Sequence, residues 1–124
     1  MTRFKKLEWL LRVGVFGEFL GHGLLAVMGK TEWVEWVRAA LGVSTSTATT
    51  LLLLVGILDV VLALIVLVQP KPLSWVLLIA AFWGFWTALA RPLLGNSVLD
   101  FVERSANWAA PLALFYFYKE STRP

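Results

Sequence analysis

From Thr49 to Val68 the chain runs about twenty residues with one ionisable side chain, Asp59, which is the length a helix needs to cross a bilayer core of ~30 Å. Three more stretches are of similar length and mostly apolar, at about 7–28, 73–91 and 97–118, though two of them carry several ionisable residues. Four such spans consume roughly 80 residues and leave only short connections. The composition agrees, with 59% hydrophobic and 15% charged residues among 124. Soluble domains are usually less apolar and more charged. The expected fold class is all-α: one transmembrane domain over residues 1–124, an integral membrane four-helix bundle in a lipid bilayer. Nothing points to a nucleic-acid partner.

The connections refine this picture. Residues 30–48 are too polar to span. Thr31 is placed to cap a short helix over about 31–42, with Glu32 and Glu35 near its positive end. Trp33, Trp36, Val37, Ala40 and Leu41 share one face and Glu35 and Arg38 the other, the pattern of an interfacial helix between spans one and two. The Ser44–Thr47 run then breaks the pattern. Gln69-Pro70-Lys71-Pro72 is a tight breaker, Asn96 or Ser97 is suited to cap span four, and Pro111 predicts a kink within it. Gly17 and Gly21 have the small-xxx-small spacing that lets helices approach closely in lipid.

The first apolar stretch follows Arg3, Lys5 and Lys6, as a signal peptide would. It is longer than a secretory h-region, carries Glu18 and His22, and lacks an A-x-A site, so a retained span is expected. Arg3, Lys5, Lys6, Lys71, Lys119 and Arg123 fall on one side of the four-span arrangement, while Lys30, Arg38, Arg91 and Arg104 fall on the other, most with acids nearby. The positive-inside rule then puts both termini in the cytoplasm, in what is expected to be a bacterial inner membrane.

Polar residues inside the spans mark the candidate site. Leu, Ile, Phe and Val each favour insertion by about 0.3–0.6 kcal/mol, whereas a central acid or base costs about 2.5–3.5 kcal/mol. Arg12, near the interface, is expected to snorkel; Glu18, near the centre, must face the bundle. Asp59 and Asn107 fall at a similar depth, and His22 lies one turn beyond Glu18 on the same face. Glu103 and Arg104 approach from span four, and Arg91 closes span three. Asp100 and Arg104 have the spacing of a structural (i, i+4) pair. On span three, Thr87 lies on a face of small residues flanked by Trp83 and Trp86, walls against which a flat ligand could lie. Intramembrane ionisable groups are functional by default, so Glu18, His22, Asp59, Trp83, Trp86, Thr87, Arg91, Glu103, Arg104 and Asn107 are the candidates for ligand binding or proton relay. With one His and no Cys, an all-protein haem or zinc site within one chain is not expected.

Leu10-Leu11-Arg12 through Phe19-Leu20-Gly21-His22-Gly23, then Gly29-Lys30, together with Leu54-Val55-Gly56-Ile57-Leu58-Asp59, resemble the DoxX-like family of small four-helix membrane proteins. Asp59 departs from that family's usual Glu. The resemblance covers roughly the first three spans; Phe101-Val102-Glu103-Arg104 and Asn107-Trp108-Ala109-Ala110-Pro111-Leu112 look like the signature of a subgroup. It implies a bundle beside membrane redox systems, one branch being a membrane subunit of a thiosulfate–quinone oxidoreductase. The leading expectation is therefore a subunit or binding protein of a quinone-linked redox or envelope-stress system, not an enzyme on its own. A quinone would be its ligand and a membrane oxidoreductase its partner. The alternatives are an assembly or chaperone-like subunit and a small proton-coupled transporter, the latter needing a homo-oligomer.

Overall fold

The computed structural model describes residues 2–70, 72 and 74–121, and all regular structure among them is helical. The helices are α1 (Arg3–Val27), α2 (Thr31–Leu41), α3 (Thr45–Val68), α4 (Ser74–Leu93), α5 (Val98–Val102) and α6 (Ala106–Ser121). Three of them, α1, α3 and α4, are long and apolar enough to cross a membrane. The expected fourth span is not one helix. It is divided into the single turn α5 and the helix α6 by a turn over 103–105, so the bundle is built from five substantial helices rather than four. At 16 residues, α6 is about 24 Å long, short of a bilayer core. Lys71, Leu73 and Arg123, which entered the sequence reading, lie outside the described residues.

Capping explains most of the boundaries. Thr2 accepts from the Lys5 amide at the start of α1 (3.1 Å), and Ser97 from the Leu99 amide at the start of α5 (3.1 Å). The Ser44–Thr47 run does not end a pattern but begins one: Ser44 caps α3 by accepting from Thr47 N–H (3.2 Å), which starts that helix before Thr49. Thr31 does not cap α2; Lys30 holds the N-cap position, with no side-chain bond. The left-handed Gly42 (φ 66°) closes α2.

The buried positions of α1 are Glu8, Arg12, Val15, Phe19, Gly23 and Ala26, and those of α3 are Ala48, Leu52, Gly56, Asp59, Ala63 and Val66. Both follow the alternating three- and four-residue spacing of a helical seam. The two helices run antiparallel, Arg12 meeting Val66 at one end while Gly23 meets Gly56 nearer the other. They form the most extensive pairing, α4 with α6 the next; α1 also packs on α6, and α3 touches α4 only lightly. Val15, Phe19, Ala63, Val66, Leu77, Ala80, Leu114 and Tyr118 make the central core, and Ala26, Trp33, Val34, Ala48 and Leu52 a second core at the α2 end. The two-tryptophan face of α2 is thus turned onto α1 and α3, while Leu41, expected on the same face, is exposed.

Backbone contacts at glycines set the helix spacing. A Cβ on Gly23 would lie 2.9 Å from the Gly56 carbonyl oxygen, and one on Gly56 2.7 Å from that of Gly23. A Cβ on Gly84 would collide with the Asn107 carbonyl oxygen, which seats α6 on α4. Gly17 and Gly21, the pair with the expected spacing, instead face open space, as does Gly14.

At the end near the termini, Arg12 is 2% exposed and does not snorkel. Its Nε donates to Val66 O (2.8 Å), and its two terminal nitrogens to Pro70 O (3.2 Å) and Leu67 O (3.3 Å). Glu8 completes the group: it accepts from Tyr118 Oη (2.6 Å) and pairs with Lys5 (3.0 Å) and Arg12 (3.5 Å).

Two substitutions test this fold. Arg12→Met strands Glu8 and three carbonyls, and should cost about 3–5 kcal/mol in reversible unfolding in mixed micelles. Gly84→Ala should cost about 1–3 kcal/mol by overpacking, whereas Gly21→Ala should stay within about 0.5 kcal/mol of wild type.

Candidate polar site in the helix bundle

The candidate residues sort into two layers. In the lower, Glu18 of α1 and Asp59 of α3 lie close enough for their carboxyl groups to interact electrostatically. Asp59 is buried, with the Trp83 side chain of α4 near it as a potential donor. This contact spans the sparsely packed α3–α4 boundary. Gly56, one turn earlier on the α3 seam, brings the backbone of α1 alongside, so Asp59 points into protein rather than away from it.

The upper layer lies toward α2. His22 is half-buried, and its Nε2 is 3.3 Å from Arg104 Nη1. A guanidinium has no acceptor, so the imidazole nitrogen accepts and its ring proton sits on Nδ1. The Trp33 ring meets the His22 ring edge-on at 5.7 Å. Arg91 is 8% exposed and packs over the Trp36 ring (4.9 Å) and more distantly over Trp33 (6.0 Å), while Lys30 lies over Trp33 (4.8 Å).

The break in the fourth element positions Arg104. After Val102 the chain closes with tight bonds, Arg104 N–H to Phe101 O (3.2 Å) and Ser105 N–H to Val102 O (3.2 Å). The Ser105 hydroxyl also donates to Val102 O (2.7 Å). This removes the helical geometry that an Asp100–Arg104 pair requires, and no ion pair joins them among the described residues. Arg104 turns to His22 instead.

The remaining candidates are placed differently. Glu103 is exposed, and Trp86 is 46% exposed. Thr87 is half-buried and donates to Gly84 O (3.2 Å) within its own helix. Asn107 packs against Gly84 through its backbone carbonyl. The structure therefore joins Glu18 to Asp59 and Trp83, and His22 to Arg104. Trp33 and Trp36, expected in an interfacial helix, and Lys30, expected only in the connection before it, belong beside the upper layer. The signal was the three-residue spacing of the tryptophans, which defines one face without saying what covers it.

The His22–Arg104 contact is testable. His22→Phe removes the acceptor and should lower stability by about 1–3 kcal/mol, while His22→Gln, which can offer an oxygen, should recover most of it. Thermal unfolding in one detergent compares them.

Set against protein-family models, curated proteins and solved structures, the chain matches none of them.

Proposed function

We propose that this chain is an integral membrane protein, with both termini in the cytoplasm of a bacterial inner membrane. In this reading its polar layers hold the head of a quinone, as expected of a DoxX-like subunit of a membrane redox or envelope-stress system. The membrane part is supported by the outward faces of the long helices. Leu53, Leu54, Ile57, Leu58, Val61 and Leu64 on α3 and Leu78, Ile79 and Phe82 on α4 are all exposed. Such a continuous apolar surface is unusual on a soluble monomer and suits lipid.

The observation that carries the ligand reading is the coincidence of two polar pairs within this apolar bundle, Glu18 with Asp59 and His22 with Arg104. A quinone is reduced with uptake of protons at its carbonyl oxygens. Arg104 and His22 supply donors for such an oxygen, and Glu18 and Asp59 are groups able to hold a proton one helical turn away. Trp83 stands beside the Asp59 carboxyl and supports this reading as a donor to it. Electrons would come from a partner oxidoreductase.

The exposed face of Gly14, Gly17 and Gly21 on α1, where an added Cβ meets nothing, favours a second reading: an assembly subunit that seats a partner's transmembrane helix, or a second copy.

Native mass spectrometry from a mild detergent extract tests both. The first reading expects bound quinone, and at least tenfold weaker quinone affinity in His22→Ala and Asp59→Asn. No co-purifying quinone together with unchanged affinity in these variants would sink it. One dominant protein partner without a small ligand would favour the second.

A further inference from the structure

The α2 end of the bundle gathers cations whose donors lack acceptors. Arg91 is more than nine-tenths buried, yet its guanidinium makes no hydrogen bond or ion pair among the described residues. Its Nε is fully buried without a partner, and so are the Nε of Arg104 and the indole Nε1 of Trp33. Buried polar groups are nearly always satisfied, and a group left unpaired costs free energy. Here three such donors come from three segments: the end of α4, the turn after α5, and α2. All three are donor-only groups, so they cannot satisfy one another.

Charge sharpens the point. The strongest charged neighbour of Arg91 is another cation, Arg104, ahead of Asp100, Glu32 and Glu103. Arg104 contacts His22, and Arg91 and Lys30 lie near enough to act on it electrostatically. The nearby acids do not neutralise Arg91 directly: none lies within ion-pair distance, and Glu32 and Glu103 are exposed to solvent. Arg91 and the half-buried Arg104 carry like charges that repel, and an anion between them would offset that repulsion. The Trp36 ring, and more distantly the Trp33 ring, hold the Arg91 guanidinium by cation–π attraction, which leaves its N–H groups without an acceptor and open to a ligand oxygen.

We infer that Arg91 and Arg104, with Trp33 and His22 beside them, form an oxyanion site at the α2 end of the bundle, suited to a phosphate group. The phosphate is either that of an anionic lipid headgroup or free in solution. Guanidinium forks bind phosphate oxygens in pairs, and the acids on the rim favour a singly charged anion over a multiply charged one. The site shares Arg104 and His22 with the quinone reading, and Arg91, which takes no part in that chemistry, separates the two.

The experiment has two arms on full-length protein. In nanodiscs of mixed phosphatidylglycerol and phosphatidylcholine, native mass spectrometry should show phosphatidylglycerol retained at least tenfold over its bulk share. In delipidated detergent solution, inorganic phosphate should raise Tm. Enrichment without the Tm shift assigns a lipid source, and the shift without enrichment a free oxyanion. Arg91→Gln and Arg104→Gln should each weaken the positive arm about tenfold. Arg38→Gln, at an exposed arginine paired with Glu35 (3.1 Å), should leave it unchanged. The proposal is overturned if wild type shows neither response, or if Arg38→Gln weakens binding as much as Arg91→Gln. Should Arg91→Gln not fold, Arg104→Gln decides; should neither fold, the two wild-type arms decide. Quinone affinity measured on the same preparations reports separately on the function proposed above.

Discussion

A missing hydrogen-bond donor organises one end of this molecule. Helix α3 ends two residues before Pro70, and proline has no N–H to offer the Val66 carbonyl one turn back. In an apolar bundle, with little water to take its place, that carbonyl must find another partner. Arg12 provides it from α1: its Nε bonds Val66 O, and its terminal nitrogens take Leu67 O and Pro70 O. The arrangement brings a full positive charge into the interior, which is tolerable because Glu8 pairs with it. Glu8 in turn needs the Tyr118 hydroxyl, which ties α6 to α1. One absent proton at a helix end thus fixes the relation of three helices.

The opposite end is built on the reverse condition. Around Arg12, acceptors outnumber donors and a buried cation satisfies them. Around Arg91, donors outnumber acceptors, and aromatic faces do part of the work that carboxylates do elsewhere. Between the two lies the Glu18–Asp59 layer. The interior is therefore graded along its length, from a closed ion-pair network, through a carboxyl layer, to an end beside α2 where buried donors lack acceptors.

Much of this was legible in the sequence, and the parts that were not have physical causes. Glu18, His22 and Asp59 stood out because ionisable groups interrupt stretches that are otherwise apolar, and that cost can be read without knowing a partner. Arg12 carried the same signal, but its position near a helix end fits snorkelling equally well; only the missing donor at Pro70, just beyond another helix, decides between them. The glycines show a similar limit. Gly17 and Gly21 have the right spacing, but Gly23 and Gly56 make the close approach, because the seam is set by where Arg12, Val15 and Phe19 point. The division of the fourth element was hidden by the hydropathy of Trp108 to Tyr118, which is high enough to suggest one helix. It is the Gly84–Asn107 backbone contact and the Ser105 hydroxyl that place the break.

The light contact between α3 and α4 carries a mechanical meaning. The bundle is two leaves, α1 with α3 and α4 with α6, clasped at one end by Glu8 and Tyr118 and crossed in its middle by Asp59 and Trp83. Local stability follows the density of buried contacts, so the α3–α4 seam is the weakest line along the molecule. On the function proposed above, this seam is the shortest lateral route by which a lipid-soluble ligand would reach the carboxyl layer.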